Sequence, residues 1–150
     1  MNSVLALTGS MMLCAVAALA DTQGFRSLAT TAGKIESSAS SLAMDLKGKK
    51  TLPDRDALKS RVEEIGKDLE ALRASMEELD RAAAANLSAK QREDWERVKI
   101  KVQVMGVFHE QKSKLLASEE WNSESKKQLE LAAASIAVRA KLLQKTASRL

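Results

Sequence analysis

The sequence predicts an all-α protein, an antiparallel up-down-up-down four-helix bundle. Three observations carry this prediction. Ala, Leu, Glu, Lys, Ser and Arg dominate a chain of 150 residues with one Pro and 3% aromatic residues, a mixture rich in helix formers. Apolar residues recur at alternating spacings of three and four over four separate stretches. Short polar segments join these stretches, which makes consecutive helices antiparallel neighbours. The alternative is an elongated helical hairpin that completes its core as a dimer. Helices are expected over about 22–47, 53–85, 89–117 and 123–149 of a single bundle domain.

Ahead of the first helix stands a candidate secretory signal. "VLALTGSMMLCAVAALA", residues 4–20, carries no charge and ends in Ala18-Leu19-Ala20, followed by Asp21. Small residues three and one before the cut are what a signal peptidase accepts. Cleavage before Asp21 divides the chain into a signal peptide, 1–20, and a bundle domain, 21–150. The mature protein is then periplasmic or extracellular. The alternative is a membrane anchor formed by residues 4–20, because "MNS" supplies no Lys or Arg. Against the anchor, the run is short for a spanning helix of about 20 residues and contains Thr8, Gly9 and Ser10. Cys14 is the only cysteine and lies inside the run, behind Met11, Met12 and Leu13, which are too large for a lipidation signal. The cleaved chain would hold no disulfide, thiolate metal site or cysteine nucleophile.

In the first helix the stripe is Phe25, Leu28, Ala32, Ile35, Ala39, Leu42 and Leu46. "KGKKTLPD" interrupts it. Gly48 is expected to take a left-handed terminal conformation, with Lys47, Lys49 and Lys50 at the negative end of the helix dipole. Pro53 is expected in the first turn of the second helix, beside Asp54 and Asp56. That helix carries the cleanest stripe: Leu58, Val62, Ile65, Leu69, Leu72, Met76, Leu79 and Ala83. Asn86 is the expected left-handed residue at its end.

Ser88 and Gln91 form a capping-box pattern for the third helix. Within it, Val98, Ile100, Val102 and Val104 alternate with polar residues, which is the period of a strand. No other segment offers a pairing partner, and an unpaired strand leaves its backbone unsatisfied. The alternation is better read as two interleaved helical rows. One is Trp95, Val98, Val102, Met105, His109, Lys112 and Leu116; the other is Ile100, Val104 and Val107. Two apolar rows are expected of a helix with neighbours on both sides. Asn122 or Ser123 caps the fourth helix, whose stripe is Leu129, Ala133, Ile136, Ala140, Leu143, Ala147 and Leu150, widened by Leu131, Val138 and Leu142.

No catalytic set assembles in this pattern. A single histidine excludes a His-rich metal site, and no Gly-rich phosphate loop precedes a helix. Glu63-Glu64 and Glu77-Glu78 read as solvated faces. The Glu-x-x-His signature of di-iron bundles fails because Gly106 stands three residues before His109. No catalytic, cofactor-binding or metal-binding residue and no cofactor are expected, and the protein is not expected to be an enzyme. His109 and Lys112 are expected near a bundle end, His109 level with Glu63 and Glu64, and the Lys112 ammonium reaching water. Trp121, off every stripe, is expected to plug the bundle end. Gly66 and Gly106 stand nearly equally far from the turn at 86–87, which suggests close approach of two backbones there.

The formal charge of +4 is weak and spread, which argues against nucleic acid. Asn86-Leu87-Ser88 matches a glycosylation sequon. In "NLSAKQREDWERV", Leu87, Ser88 and Gln91 resemble the Leu-Thr-x-x-Gln motif of small periplasmic stress chaperones, with Ser in place of Thr and no second strict copy. That resemblance implies an exported, all-helical protein without a catalytic site. The expectation is an exported interaction protein of chaperone-like type, with a protein partner or self-association. The alternative is a membrane-associated protein, held by an uncleaved N-terminus or by the basic amphipathic segment "IAVRAKLLQKTASRL".

Overall fold

The computed structural model describes residues 8–150, with side chains described from Thr22 onward except Ala84. Four helices make up the fold: α1 (Thr8–Gly48), α2 (Arg55–Ala82), α3 (Ala89–Ala117) and α4 (Ser123–Ala147), with a 3-10 turn at Ala84–Asn86. No strand occurs among the described residues, so the alternating segment 98–104 is helical. Each helix packs on two others, α1 on α2 and α4, and α3 on α2 and α4. The ring closes as a four-helix bundle.

The core is built from the stripes. Every member of the α1 stripe from Phe25 to Leu46 is buried, as is every member of the α2 stripe except half-buried Met76. The most extensive contact joins α1 and α4. Both present small buried residues, Ala29, Ala32 and Ala39 on one and Ala132, Ala133, Ala137 and Ala140 on the other, which let two helices approach closely. Phe25 and Trp95 meet edge to face at 5.5 Å, joining α1 to α3. Trp95 Nε1 donates to Asp80 Oδ1 at 2.7 Å, which ties α3 to α2.

Helix ends depart from expectation more than helix bodies do. α1 ends at Gly48 without a left-handed residue, and neither Gly48 nor Asn86 has positive φ. The Lys49 carbonyl instead accepts from Lys126 Nζ at the start of α4. Asp54 is the N-cap of α2 and accepts from Asp56 N, so Pro53 lies just before the helix, not in its first turn. α2 ends at Ala82, and Asn86 closes the 3-10 turn, its N–H donating to Ala83 O. The Ser88–Gln91 capping box is present in both directions. Asn122 Oδ1 accepts from Glu124 N and Ser125 N and caps α4. Trp121 is half-buried against the core, and its Nε1 donates to Pro53 O at 3.2 Å, closing the end of the bundle at the α1–α2 connection.

α1 as described is continuous through the Ala20–Asp21 boundary expected from the sequence. Residues 1–7 and the side chains through Asp21 lie outside the described set. Among the described residues, no helix is long and apolar enough to cross a membrane.

Candidate functional site

Two places combine exposed or unsatisfied chemistry. The first is the seam between α2 and α3, where a cleft of about 370 Å³ is lined by Gly66, Glu70, Arg73, Gln103, Gly106 and His109, among others. Its two glycines are sockets for side chains of the facing helix. A Cβ at Gly66 would fall 2.6 Å from His109 Nε2. A Cβ at Gly106 would overlap Arg73 Nη2. The matched height read from the sequence is therefore real in effect but different in kind: each glycine admits a large side chain of its neighbour, not the neighbour's backbone.

His109 packs over Gly66 and forms no ion pair with Glu63 or Glu64, which stay exposed. Its Nδ1 is buried without a partner. Burial lowers its pKa below the usual 6.5, with Lys112 and Arg73 acting in the same direction and Glu70 opposing them. One turn further, Lys112 is 0% exposed. Its Nζ is also unpartnered, and burial lowers its pKa from 10.5 to about 8. The expectation that its ammonium reaches water is thus overturned. α3 runs on past it to buried Leu116, and the bundle encloses the side chain. Among the described residues no group of His, Cys, Asp or Glu is arranged to hold a metal ion.

The second place is the outer surface of α3 and α4. The second apolar row of α3 is not covered by a neighbouring helix, although Val107 borders the α2–α3 cleft. Ile100 and Val107 are 58% and 65% exposed, with half-buried Val104 between them. On α4, Leu131, Val138 and Leu142 are 54%, 59% and 48% exposed. Gln91 Nε2 donates to Leu150 O at 3.2 Å and fixes the alignment of the two helices. Counted inward from that contact, Leu142, Val138 and Leu131 come level with Lys99, Gln103 and Glu110. The α4 row, about three turns long, thus runs alongside the two turns of α3 that carry Ile100 and Val107. Between them Arg139 stacks its guanidinium on Phe108, 4.8 Å from the ring centroid.

Ion pairs close the α3 row at both ends, Arg97–Glu93 at 2.5 Å and Lys114–Glu110 at 2.8 Å. Exposed apolar side chains thus stand on two adjacent helices, flanked on α3 by ion pairs. The residues were legible in the sequence as surplus rows. Their exposure was not, because periodicity fixes which residues share a face but not whether a neighbour covers it. Arg73 gave no signal of its own; only the glycine that receives it stood out. Comparison with protein-family models, with curated proteins and with solved structures gives no match.

Proposed function

We propose that this is an exported helical-bundle interaction protein of chaperone-like type, which binds protein partners on the outer face of α3 and α4 and carries out no catalysis. The observation that supports the reading is that Ile100, Val107, Leu131, Val138 and Leu142 stay exposed although the four core stripes already fill the bundle. Exposed apolar side chains set among ion pairs suit a partner with apolar segments of its own, such as an incompletely folded chain. Export rests on Ala18-Leu19-Ala20 and is tested by intact mass: the exported protein should begin at Asp21, and a mass retaining residues 1–20 would favour the anchor. Binding is tested by mixing the exported protein with a chemically denatured globular client at near-stoichiometric ratio without nucleotide. Suppressed light scattering is the expected result. Strong, salt-sensitive binding to anionic vesicles with no effect on the client would replace this reading with the membrane-associated one.

A further inference from the structure

We propose that the cleft between α2 and α3 binds a small zwitterion of the α-amino-acid type with an apolar side chain, its carboxylate on Arg73 and its ammonium on Glu70. The cleft measures about 370 Å³, at the small end of the roughly 300–1,000 Å³ found for ligand pockets. Glu70 and Arg73 line it from α2, together with Leu69, and Val107, His109 and Glu110 line it from α3. Both charged and apolar side chains therefore border one small space.

The local packing splits a charge pair that the sequence would allow. Glu70 and Arg73 stand three residues apart on α2, a spacing at which opposite charges commonly pair along a helix. Here they do not: among the described residues neither side chain forms an ion pair or a hydrogen bond. Arg73 reaches across the seam instead, and its Nη2 occupies the space that a Cβ at Gly106 would take. The bare glycine thus seats the guanidinium on α3, away from Glu70. An arginine fork left without a carboxylate is suited to receive one through two parallel hydrogen bonds.

The other titratable groups at the cleft leave these two charges as the ones to be met. Glu110 is already paired with Lys114 at 2.8 Å. Burial lowers the His109 pKa, helped by Lys112 and Arg73 and opposed by Glu70, so the imidazole is neutral near pH 7 and adds no charge. One cation and one carboxylate remain. A simple anion would gain from Arg73 and be repelled by Glu70, and a simple amine would meet the reverse. A molecule with ammonium and carboxylate on one carbon satisfies both, because one helical turn separates the groups that receive them. Leu69 and Val107 offer apolar surface to its side chain.

Titration of L-leucine into the protein, followed by proton NMR at the ring of His109, the only histidine, tests the site. A saturable shift in the millimolar range is expected. Isocaproate, which lacks the ammonium, and isoamylamine, which lacks the carboxylate, should each bind about tenfold more weakly, the size of one charge-assisted hydrogen bond. Arg73→Gln and Glu70→Gln lie at exposed positions and should weaken leucine binding by a similar factor without moving the melting temperature. Gly106→Ala, which expels the guanidinium from its socket, should weaken it as well. The absence of a saturable shift would overturn the proposal. So would isocaproate or isoamylamine binding as tightly as leucine, or leucine binding unchanged by Arg73→Gln.

Discussion

Lys112 in the core and half-buried His109 beside the α2–α3 cleft each hold a buried nitrogen with no partner. The Lys112 pKa falls to about 8 in the folded state against about 10.4 in an unfolded chain. Between those values the unfolded chain binds more protons, so stability rises with pH through that window, and below pH 8 the full cost of the buried charge is present. That cost is on the order of 3 kcal/mol at most. Replacing Lys112→Met should therefore raise stability near pH 7 by about 1–3 kcal/mol and flatten the rise between pH 8 and 10, as read from urea unfolding at several pH values. An unchanged pH slope would mean the ammonium reaches water. His109 acts in the same sense at lower pH. Its lowered pKa means stability is lost as pH falls below 6.5, and His109→Gln, which removes the only histidine, should lessen that loss.

The two glycine sockets predict opposite outcomes for the same substitution. Alanine in a helix interior gains about 1 kcal/mol over glycine. At Gly66 the new methyl meets a half-buried imidazole ring at 2.6 Å, and Gly66→Ala should destabilise by about 1–2 kcal/mol, within the range for overpacking. Combining it with His109→Ala should remove most of that penalty, a non-additivity visible in a double-mutant cycle. At Gly106 the obstacle is the end of exposed Arg73, which can swing into water, so Gly106→Ala should be neutral or stabilising in the same melts. The sequence made both glycines and His109 visible by position, but not Arg73. It did not tell which glycine faces which side chain, because that depends on rotation of α2 against α3, and spacing along one helix leaves rotation free.

At the scale of helices, bodies were legible and ends were not. Stripes with alternating spacings of three and four place α2 and α4 without tertiary information, and the same rule read α3 through its strand-like alternation, because burial of Val98 and Val102 outweighs a helix propensity lower by only a few tenths of a kcal/mol. Ends have several local solutions of similar energy. Gly48 and Asn86 could adopt left-handed geometry, but the Lys49 carbonyl is satisfied by Lys126 and the 82–86 segment by a 3-10 turn. The strongest end signal, Ser88 with Gln91, was correct because two reciprocal hydrogen bonds, 3.3 and 3.0 Å, leave little choice. Ser88→Ala should cost about 1 kcal/mol and lower the melting temperature by about 2–4 °C for a chain of this size. A melt unchanged by that substitution would mean the α2–α3 connection contributes nothing to stability.

For the whole molecule, α1 and α4 form the most extensive contact through small residues, while the α2–α3 seam holds the cleft and His109, with Lys112 buried one turn further along α3. The four stripes close the core, and the rows beyond them have only solvent to meet. Covering the five exposed side chains is worth on the order of 5 kcal/mol, enough to bind another surface but not needed for the fold. These two roles separate in one variant, Ile100→Ser/Val107→Ser/Val138→Ser/Leu142→Ser, if its melting temperature and its suppression of client aggregation are measured side by side. If these rows are a binding face, the variant melts within a few degrees of the parent and no longer protects the client. A variant that unfolds would show the rows to be core, and one that melts and protects like the parent would show that binding lies elsewhere.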